Sequence, residues 1–122
     1  MRIALCSDEP YPVHDLIKEE LTKRQHEVVP FGSLASGKEE PWAQVAEQAA
    51  LVVAKGDCDE GIFFCWSGTG ISMAANKVHG IRAALCTDPE TAAAARIWNH
   101  ANVLCLSNRT LSNETAKEIL KI

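Results

Sequence analysis

A single cysteine lies where a predicted buried strand turns into a helix through a glycine-rich loop. In the stretch GIFFCWSGTGIS (61–72), Cys65 ends the apolar run, and Gly68 and Gly70 follow it. Glycine lets a backbone approach a ligand closely, and N–H groups at the start of a helix suit a phosphate, a carboxylate or an enolate oxygen. A thiol in this position can serve as a nucleophile or a base, because the helix N-terminus favours the thiolate. The alternatives are an unliganded turn and a cysteine that is only a small buried side chain.

Other residues with chemical potential follow the first and last apolar runs. Asp8 suits a sugar hydroxyl or a metal, or it caps the next helix. Arg109 suits an anion, or it forms a salt bridge in solvent or with another subunit. His100 ends a predicted helix, where it either titrates near neutral pH or acts as a cap. The four histidines share no metal-ligand spacing, and SGTGIS lacks the GK[ST] of a phosphate-binding Walker A loop, so no metal site is predicted.

The bulk composition describes one ordinary globular domain over residues 1–122. Hydrophobic residues make up 47% and charged residues 23% of the chain, as is usual for soluble proteins. A net charge of −4 without a sustained Lys/Arg face argues against a nucleic-acid or acidic-membrane partner. No apolar run approaches the roughly 20 residues that span a bilayer, and no signal peptide opens the chain. Five cysteines without a CxxC pair indicate reduced thiols, so we expect a cytoplasmic protein.

Short apolar runs alternate with amphipathic segments along the chain. The predicted strands are 2–6, 27–31, 61–65, 81–86 and 102–106. The predicted helices are 12–25, 41–55, 70–78, 89–99 and 112–121. Strands separated by helices form right-handed parallel βαβ units. We therefore expect an α/β fold, namely a three-layer α/β/α sandwich around a doubly wound, Rossmann-like, five-stranded parallel sheet.

Local signals refine this fold prediction. Asp88 and Ser112 are typical helix caps, and Pro30 favours an edge position for the second strand. The segment 33–41 is the one predicted flexible loop. Ligands of open parallel sheets bind outside the carboxyl ends of the strands, near the point where the strand order reverses. We therefore expect a site among the residues that follow the strands, which are Ser7 to Glu9, Gly32 and Ser33, Cys65 to Gly68, Thr87 and Asp88, and Ser107 to Arg109.

Two longer stretches resemble the family of B-type ribose-5-phosphate isomerases and galactose-6-phosphate isomerases. GTGISMAANKVHGIRAALCTD (68–88) resembles the family's glycine loop followed by AANK and IRAAL. NHANVLCLSNR (99–109) resembles the family's NDANVL segment and its downstream arginine, and the opening RIALCSD places Asp8 at the family's strand-end aspartate. The resemblance covers nearly the whole chain. It implies an aldose–ketose isomerase that acts on a sugar or sugar phosphate without a cofactor.

The resemblance also implies roles for individual residues. Cys65 would be the base that moves a proton between C2 and C1 of the open-chain sugar, and Ser67 would help to pass protons at the sugar oxygens. Backbone N–H groups of the glycine loop would stabilise the enediolate. The loop residues expected at the substrate are Gly68, Thr69, Gly70, Ile71 and Ser72. Family members are dimers or tetramers whose sites draw residues from two subunits, so a homodimer or tetramer with shared sites is implied.

Several positions depart from the family pattern. Glu9 stands where the family usually has histidine, and Trp66 stands where it has glycine. Trp98 stands where it has the ring-opening histidine, with His100 two positions later as a substitute catalyst. The chain stops at Ile122, before the arginines with which family members bind phosphate. The substrate contacts expected outside the loop are Asp8, Glu9, Trp66, Trp98, Asn99 and Arg109.

These departures predict that the proton-transfer groups are retained while the substrate differs from the family norm. A non-phosphorylated sugar, or one whose anionic group is held by Arg109 alone, would fit this pattern. The alternative is a catalytically altered homologue that binds a sugar phosphate, or one subunit of a heteromeric isomerase.

Overall fold

The computed structural model describes all of residues 1–122 and contains five strands and six helices. The strands are β1 (Arg2–Ser7), β2 (Glu27–Gly32), β3 (Glu60–Cys65), β4 (Ala83–Leu85) and β5 (Val103–Ser107). The helices are α1 (Val13–Lys23), α2 (Ser33–Ser36), α3 (Trp42–Ala54), α4 (Thr69–Asn76), α5 (Pro89–Asn99) and α6 (Asn113–Leu120). The longest of them, α3, has 13 residues, and no helix is long and apolar enough to cross a bilayer.

The strands form one parallel sheet in the order β2-β1-β3-β5-β4. The chain moves outward from β1 to β2 and then returns to the other side of β1 with β3, so the strand order reverses between β1 and β3. Pro30 lies in β2, which pairs only with β1, and the predicted edge position is confirmed. An edge strand tolerates proline because one side of its backbone needs no ladder hydrogen bond.

Two apolar clusters cover the two faces of the sheet, which makes three layers. One cluster joins α3 and α4 to the sheet, and the other joins α1, α5 and α6 to its opposite face. Consecutive strand residues point to opposite faces, so Phe63 belongs to the first cluster and Phe64 to the second, and both are fully buried. Burial of each such side chain contributes about 1.5–3 kcal/mol to folding. The predicted three-layer, doubly wound sandwich is confirmed.

The helix caps follow the sequence signals. The Asp88 carboxylate accepts a hydrogen bond from the Thr91 N–H at 2.7 Å, and the Ser112 hydroxyl accepts one from the Thr115 N–H at 3.1 Å. Both caps satisfy N–H groups that have no partner inside the helix. The flexible-loop prediction for 33–41 is wrong for its first four residues, which form α2.

Candidate active site

Cys65 is the last residue of β3 and lies at the point where the strand order reverses. In the parallel register, Cys65 is opposite Ser107 of β5, and Phe64 is opposite Ser7 of β1. Asp8, the residue after Ser7, therefore follows β1 beside Cys65. The carboxyl ends of β1 and β3 thus bring a thiol and a carboxylate together, as expected for a ligand site of this architecture.

The Cys65 thiol is held by the loop that follows it. The Gly68 N–H donates a hydrogen bond to Cys65 Sγ at 3.2 Å, and Gly68 has a φ of +81°. A β-carbon on Gly68 would lie 2.5 Å from Leu85 Cδ1 and 3.2 Å from the backbone of Leu106. Only glycine therefore permits both the left-handed turn and the close packing that aim this N–H at the sulfur. This hydrogen bond fixes the position of the sulfur at the start of the glycine loop.

The first turn of α4 offers free backbone donors beside the thiol. The first helical hydrogen bond runs from the Ser72 N–H to the Gly68 carbonyl, so the N–H groups of Gly70 and Ile71 have no acceptor in the chain. The indole of Trp42 packs against Gly70, where an added β-carbon would lie 3.2 Å from the ring. Two unpaired donors at a helix N-terminus form a ready site for an anionic oxygen.

The hydroxyl residues of the loop support the same turn. Ser67 Oγ and Thr69 Oγ1 share a hydrogen bond of 2.7 Å, and the Thr69 N–H donates to Ser67 Oγ at 3.4 Å. Ser67 is half-buried and Thr69 is exposed. A hydroxyl can both accept and donate a proton, so this pair can relay protons at the mouth of the site.

Asp8 is a buried carboxylate without a full set of partners. The residue is 8% exposed, and its Oδ1 has no hydrogen-bond partner. Burial raises the pKa of this carboxyl above its ordinary value, and the negative charge of nearby Glu9 adds to the effect. Glu9 is half-buried and accepts a hydrogen bond of 3.4 Å from the Tyr11 hydroxyl. Because an orphaned buried oxygen costs stability, Asp8 is suited to accept a ligand hydroxyl.

Trp66 and Arg109 form a stacked pair on the protein surface, just beyond the carboxyl ends of β3 and β5. The Arg109 guanidinium carbon lies 4.8 Å from the centre of the Trp66 ring, and the Arg109 N–H donates to the Trp66 carbonyl at 3.1 Å. Trp66 is 56% exposed. The cation–π contact holds the arginine next to the thiol loop while its N–H groups stay available to an anion.

Three of the predicted site residues lie near the amino ends of the strands, on the opposite side of the sheet from the thiol loop. Trp98 and Asn99 end α5, and His100 caps it in the left-handed conformation. The Asn99 carbonyl accepts a hydrogen bond from Arg82, which precedes β4, so this helix end adjoins the amino ends of the strands. Cys65 is at the carboxyl ends. A single chain therefore does not bring Trp98, Asn99 or His100 to the thiol.

The remaining thiols are embedded in the core. Burial raises the pKa of the Cys6 and Cys105 thiols far above their ordinary value, which keeps both protonated. Burial also raises the pKa of Cys86 and Cys58. No group of three or more His, Cys, Asp or Glu side chains is arranged to hold a metal ion. Among the five cysteines, Cys65 is the one whose sulfur accepts an N–H from a glycine loop.

The sequence patterns do not single out three buried polar side chains that lie near the carboxyl ends of the strands. His14 and Asn108 are buried and hydrogen-bonded to each other at 2.8 Å, and Ser33 is buried with an unpartnered hydroxyl. Asn108 and Ser33 directly follow strands, which was an available signal. His14 lies on the buried face of α1, and its place in the sequence gives no sign of this hydrogen bond.

Comparison with known proteins places this arrangement in a group of sugar isomerases. The profile of the Ribose/Galactose Isomerase family matches residues 3–122. Ribose-5-phosphate isomerase B of Escherichia coli (strain K12) is 40% identical over 107 residues, which cover 88% of this chain and 70% of that protein. D-erythrulose-4-phosphate isomerase of Pectobacterium atrosepticum is 36% identical over 121 residues, which cover 98% of this chain and 80% of that protein.

A solved structure gives the same relationship in three dimensions. Ribose-5-phosphate isomerase B from Mycoplasma genitalium with bound ribulose-5-phosphate matches with a TM-score of 0.89 at 36% identity, over 98% of this chain and 80% of that one. The fold and these similarities define a Rossmann-like α/β protein of the sugar-isomerase class. The chain belongs to the Ribose/Galactose Isomerase family. The family predicted from the sequence is confirmed, and the predicted class of enzyme is the one for which these relatives are named.

Proposed function

We propose that this protein is a cofactor-independent aldose–ketose isomerase of sugar phosphates in which Cys65 is the base. The observation that carries the proposal is the 3.2 Å hydrogen bond from the Gly68 N–H to Cys65 Sγ, beside the free N–H groups of Gly70 and Ile71. A base and an oxyanion site thus adjoin one another at the carboxyl end of β3. The substrate class is supported by the relatives, which are named for the isomerisation of pentose and tetrulose phosphates.

The chemistry requires no oxidant. The Cys65 thiolate removes the proton from the carbon next to the carbonyl, and the electron pair of that bond forms the enediolate. The N–H groups of Gly70 and Ile71 hold the negative oxygen. Ser67 passes a proton between the two sugar oxygens, and Cys65 returns its proton to the former carbonyl carbon. The product is the isomeric sugar, and every group of the protein regains its starting state.

Asp8 would bind a hydroxyl of the open-chain sugar. Its Oδ1 is buried and unpartnered, and it lies beside the strand end that carries Cys65. A sugar hydroxyl would supply the missing hydrogen bond and orient the chain of carbons over the thiol.

Trp66 and Arg109 would select the substrate. Arg109 is held over the indole of Trp66, directly after the thiol, so it would take the anionic group of a sugar phosphate. Trp66 occupies the position at which the family pattern has glycine, and half-buried Glu9 adds a negative charge to the same edge. We therefore infer a substrate that differs from the family norm in its shape or in the anchoring of its phosphate.

A second subunit would complete the site. The end of α5, with Trp98, Asn99 and His100, lies near the amino ends of the strands of its own chain, and Trp98 is 77% exposed. Neighbouring Ile97 is 66% exposed, so the end of α5 presents an apolar surface. If this surface docks near the carboxyl ends of the strands of another copy, it would bring His100 to that copy's thiol loop for ring opening. All five cysteines are unpaired, which supports a cytoplasmic location for the assembly.

Exchange of carbon-bound hydrogen tests the proposal. Purified protein is incubated in D₂O with ribose-5-phosphate, with a tetrose phosphate, and with the unphosphorylated pentose and hexose sugars. Isomerisation through an enediolate introduces deuterium at the carbon that receives the proton, which NMR detects. We expect incorporation with at least one phosphorylated sugar. The absence of exchange with every sugar would contradict the proposed activity.

A further inference from the structure

Three polar side chains are buried together behind the thiol loop. His14 of α1 is 3% exposed, Ser7 at the end of β1 is 0% exposed, and Asn108 after β5 is 8% exposed. His14 Nε2 lies 2.8 Å from Asn108 Oδ1, and Asn108 Nδ2 donates to Ser7 Oγ at 3.1 Å. The Ser7 hydroxyl donates in turn to the Glu9 carbonyl at 2.7 Å. Each member has a partner, so the network avoids the cost of an unsatisfied buried polar group.

The direction of these bonds determines which nitrogen of His14 carries hydrogen. Ser7 gives its hydrogen to a carbonyl, so its oxygen accepts from the Asn108 amide nitrogen. The amide oxygen of Asn108 can only accept, and it faces His14. His14 therefore donates from Nε2–H.

Asn108 connects this network to the backbone of the active-site loop. Its own N–H donates to the Cys65 carbonyl at 2.9 Å, and the next residue, Arg109, donates its N–H to the Trp66 carbonyl at 3.1 Å. The Ser107 hydroxyl also donates to the Trp66 carbonyl at 2.8 Å. The residue that His14 holds by its side chain is thus bonded through its backbone to the residue that carries the thiol.

The surroundings of His14 favour the neutral imidazole. The ring packs against Phe64 with centroids 4.6 Å apart and against Tyr11 at 6.2 Å. Burial lowers the pKa of His14 below its ordinary value, against smaller opposite effects of the Asn108 hydrogen bond and Asp15. Lys18 lowers it further. The elements packed against the ring bring these titratable or charged groups towards it: Tyr11 and the Glu9 to which it is bonded, and Asp15 and Lys18 on α1.

We propose that His14 is a positioning residue, whose neutral ring fixes Asn108 and thereby the backbone that presents Cys65, Trp66 and Arg109. This inference rests on the proposed function and adds to it a residue that is distant from the reacting atoms. Leucine could fill the same volume, but it would leave the Asn108 oxygen without its donor in a buried place. The presence of a polar ring here is explained by its hydrogen bond to Asn108, whose backbone N–H donates to the Cys65 carbonyl.

Variants of His14 separate positioning from packing. His14→Gln keeps a side-chain N–H near the place of Nε2 and cannot be charged, whereas His14→Leu removes the donor. Ile17→Ala on the same helix opens the same apolar cluster without touching Asn108, and is the matched control. With the sugar phosphate that the unmodified protein turns over in D₂O, we expect His14→Leu to lower kcat about tenfold or more at a nearly unchanged KM. His14→Gln should stay within about threefold of the unmodified protein, and Ile17→Ala should retain its kcat at a temperature where it is folded.

Alkylation of Cys65 measures the same positioning without a substrate. The rate constant for iodoacetamide, followed by mass spectrometry of the peptide that contains Cys65, should change at least threefold in His14→Leu and little in His14→Gln or Ile17→Ala. If the unmodified protein exchanges no sugar hydrogen, the proposed function fails, and alkylation still decides the positioning role. Equal alkylation rates in His14→Leu and His14→Gln would overturn that role.

The unmodified protein provides a test that does not depend on a variant folding. Ring ¹⁵N NMR at pH 7 should show His14 neutral, with its hydrogen on Nε2. A charged ring, or a hydrogen on Nδ1 alone, would contradict the proposal.

Discussion

At the level of single residues, Trp66 is a large exposed side chain directly after the thiol. Its ring is more than half exposed and carries the Arg109 guanidinium at 4.8 Å. Such exposed cation–π contacts contribute about 0.5–1 kcal/mol. That energy is small for folding, and it favours the stacked position of the arginine about two- to fivefold before an anion binds.

Replacement of Trp66 tests whether this stacking selects the substrate. In Trp66→Leu the arginine loses its aromatic support, so we expect KM for the sugar phosphate that the unmodified protein turns over to rise roughly two- to fivefold, in line with the loss of such a contact. Trp66→Tyr keeps an aromatic face and should leave KM near its original value. Steady-state kinetics of both variants provide the measurement. Equal KM values for the leucine and tyrosine variants would show that the ring does not hold Arg109 for the substrate.

The residues of the thiol loop could be predicted from the sequence, whereas those behind it could not. The pattern around Cys65 predicts a strand end, a glycine turn and a helix start, and all three occur. His14 and Asn108 lie 94 positions apart in the chain, and their hydrogen bond depends on the packing of α1 beside the end of β5. Local sequence carries no signal for a contact at this separation.

At the level of secondary structure elements, the junction of β3 and α4 determines the geometry of the site. Gly68 is the left-handed residue at this junction, and it packs against Leu85 and the backbone of Leu106. The same turn directs the Gly68 N–H to Cys65 Sγ and leaves the N–H groups of Gly70 and Ile71 unpaired.

Alanine at Gly68 should damage this junction beyond the cost of its φ angle. Gly56→Ala is the matched control, because Gly56 has a φ of +85° and a β-carbon there would meet nothing within 4 Å. We expect Gly56→Ala to lose about 1–2 kcal/mol of unfolding free energy for the left-handed conformation. Gly68→Ala should lose clearly more, because its β-carbon overlaps Leu85, and should also lose isomerase activity. Urea unfolding gives the energies, and equal losses for the two variants would contradict the packing argument.

The elements themselves followed from apolar patterning, with one exception. All five strands and the five longer helices occur close to the predicted ranges. The four residues of α2 are too few to show a helical period, so the sequence predicts a loop there. The turn before α2 depends on tertiary packing, because a β-carbon on Gly32 would lie 2.4 Å from the Ser7 carbonyl oxygen.

At the level of the whole molecule, the parallel topology separates two groups of predicted site residues. A helix that connects parallel strands starts near their carboxyl ends and finishes near their amino ends. The end of α5 therefore lies away from Cys65. This consequence was already contained in the predicted βαβ order. It is the physical reason for which we propose a site shared between subunits.

Mixing two inactive variants tests the shared site. Cys65→Ala removes the base of one chain and leaves its His100, and His100→Ala does the reverse. After unfolding and refolding together, hybrid dimers contain one intact site, so we expect about a quarter of the original activity. Each variant refolded alone should remain inactive. No recovery in hybrids whose formation is shown by native mass spectrometry would contradict a site that pairs Cys65 with the partner's His100.

The buried imidazole also makes stability depend on pH. Burial lowers the pKa of His14, so the unfolded chain takes up a proton near its ordinary pKa of about 6.5 while the native chain does not. The unmodified protein should therefore lose stability as the pH falls from about 7 to 5. His14→Gln lacks this titration, so its unfolding free energy relative to that of the unmodified protein should improve over the same range. Urea unfolding at each pH measures the difference, and a constant difference would contradict a buried neutral ring.

The most direct measurement compares hydrogen exchange by the Cys65→Ala variant with that by the unmodified protein. Cys86→Ala is the control, since Cys86 is a buried thiol next to the end of β4 that bonds only to the Ala84 carbonyl. With the substrate that the unmodified protein turns over in D₂O, loss of the base should reduce deuterium incorporation at least about a hundredfold, while Cys86→Ala retains it. Deuterium incorporation by Cys65→Ala at the rate of the unmodified protein would contradict the assignment of Cys65 as the base.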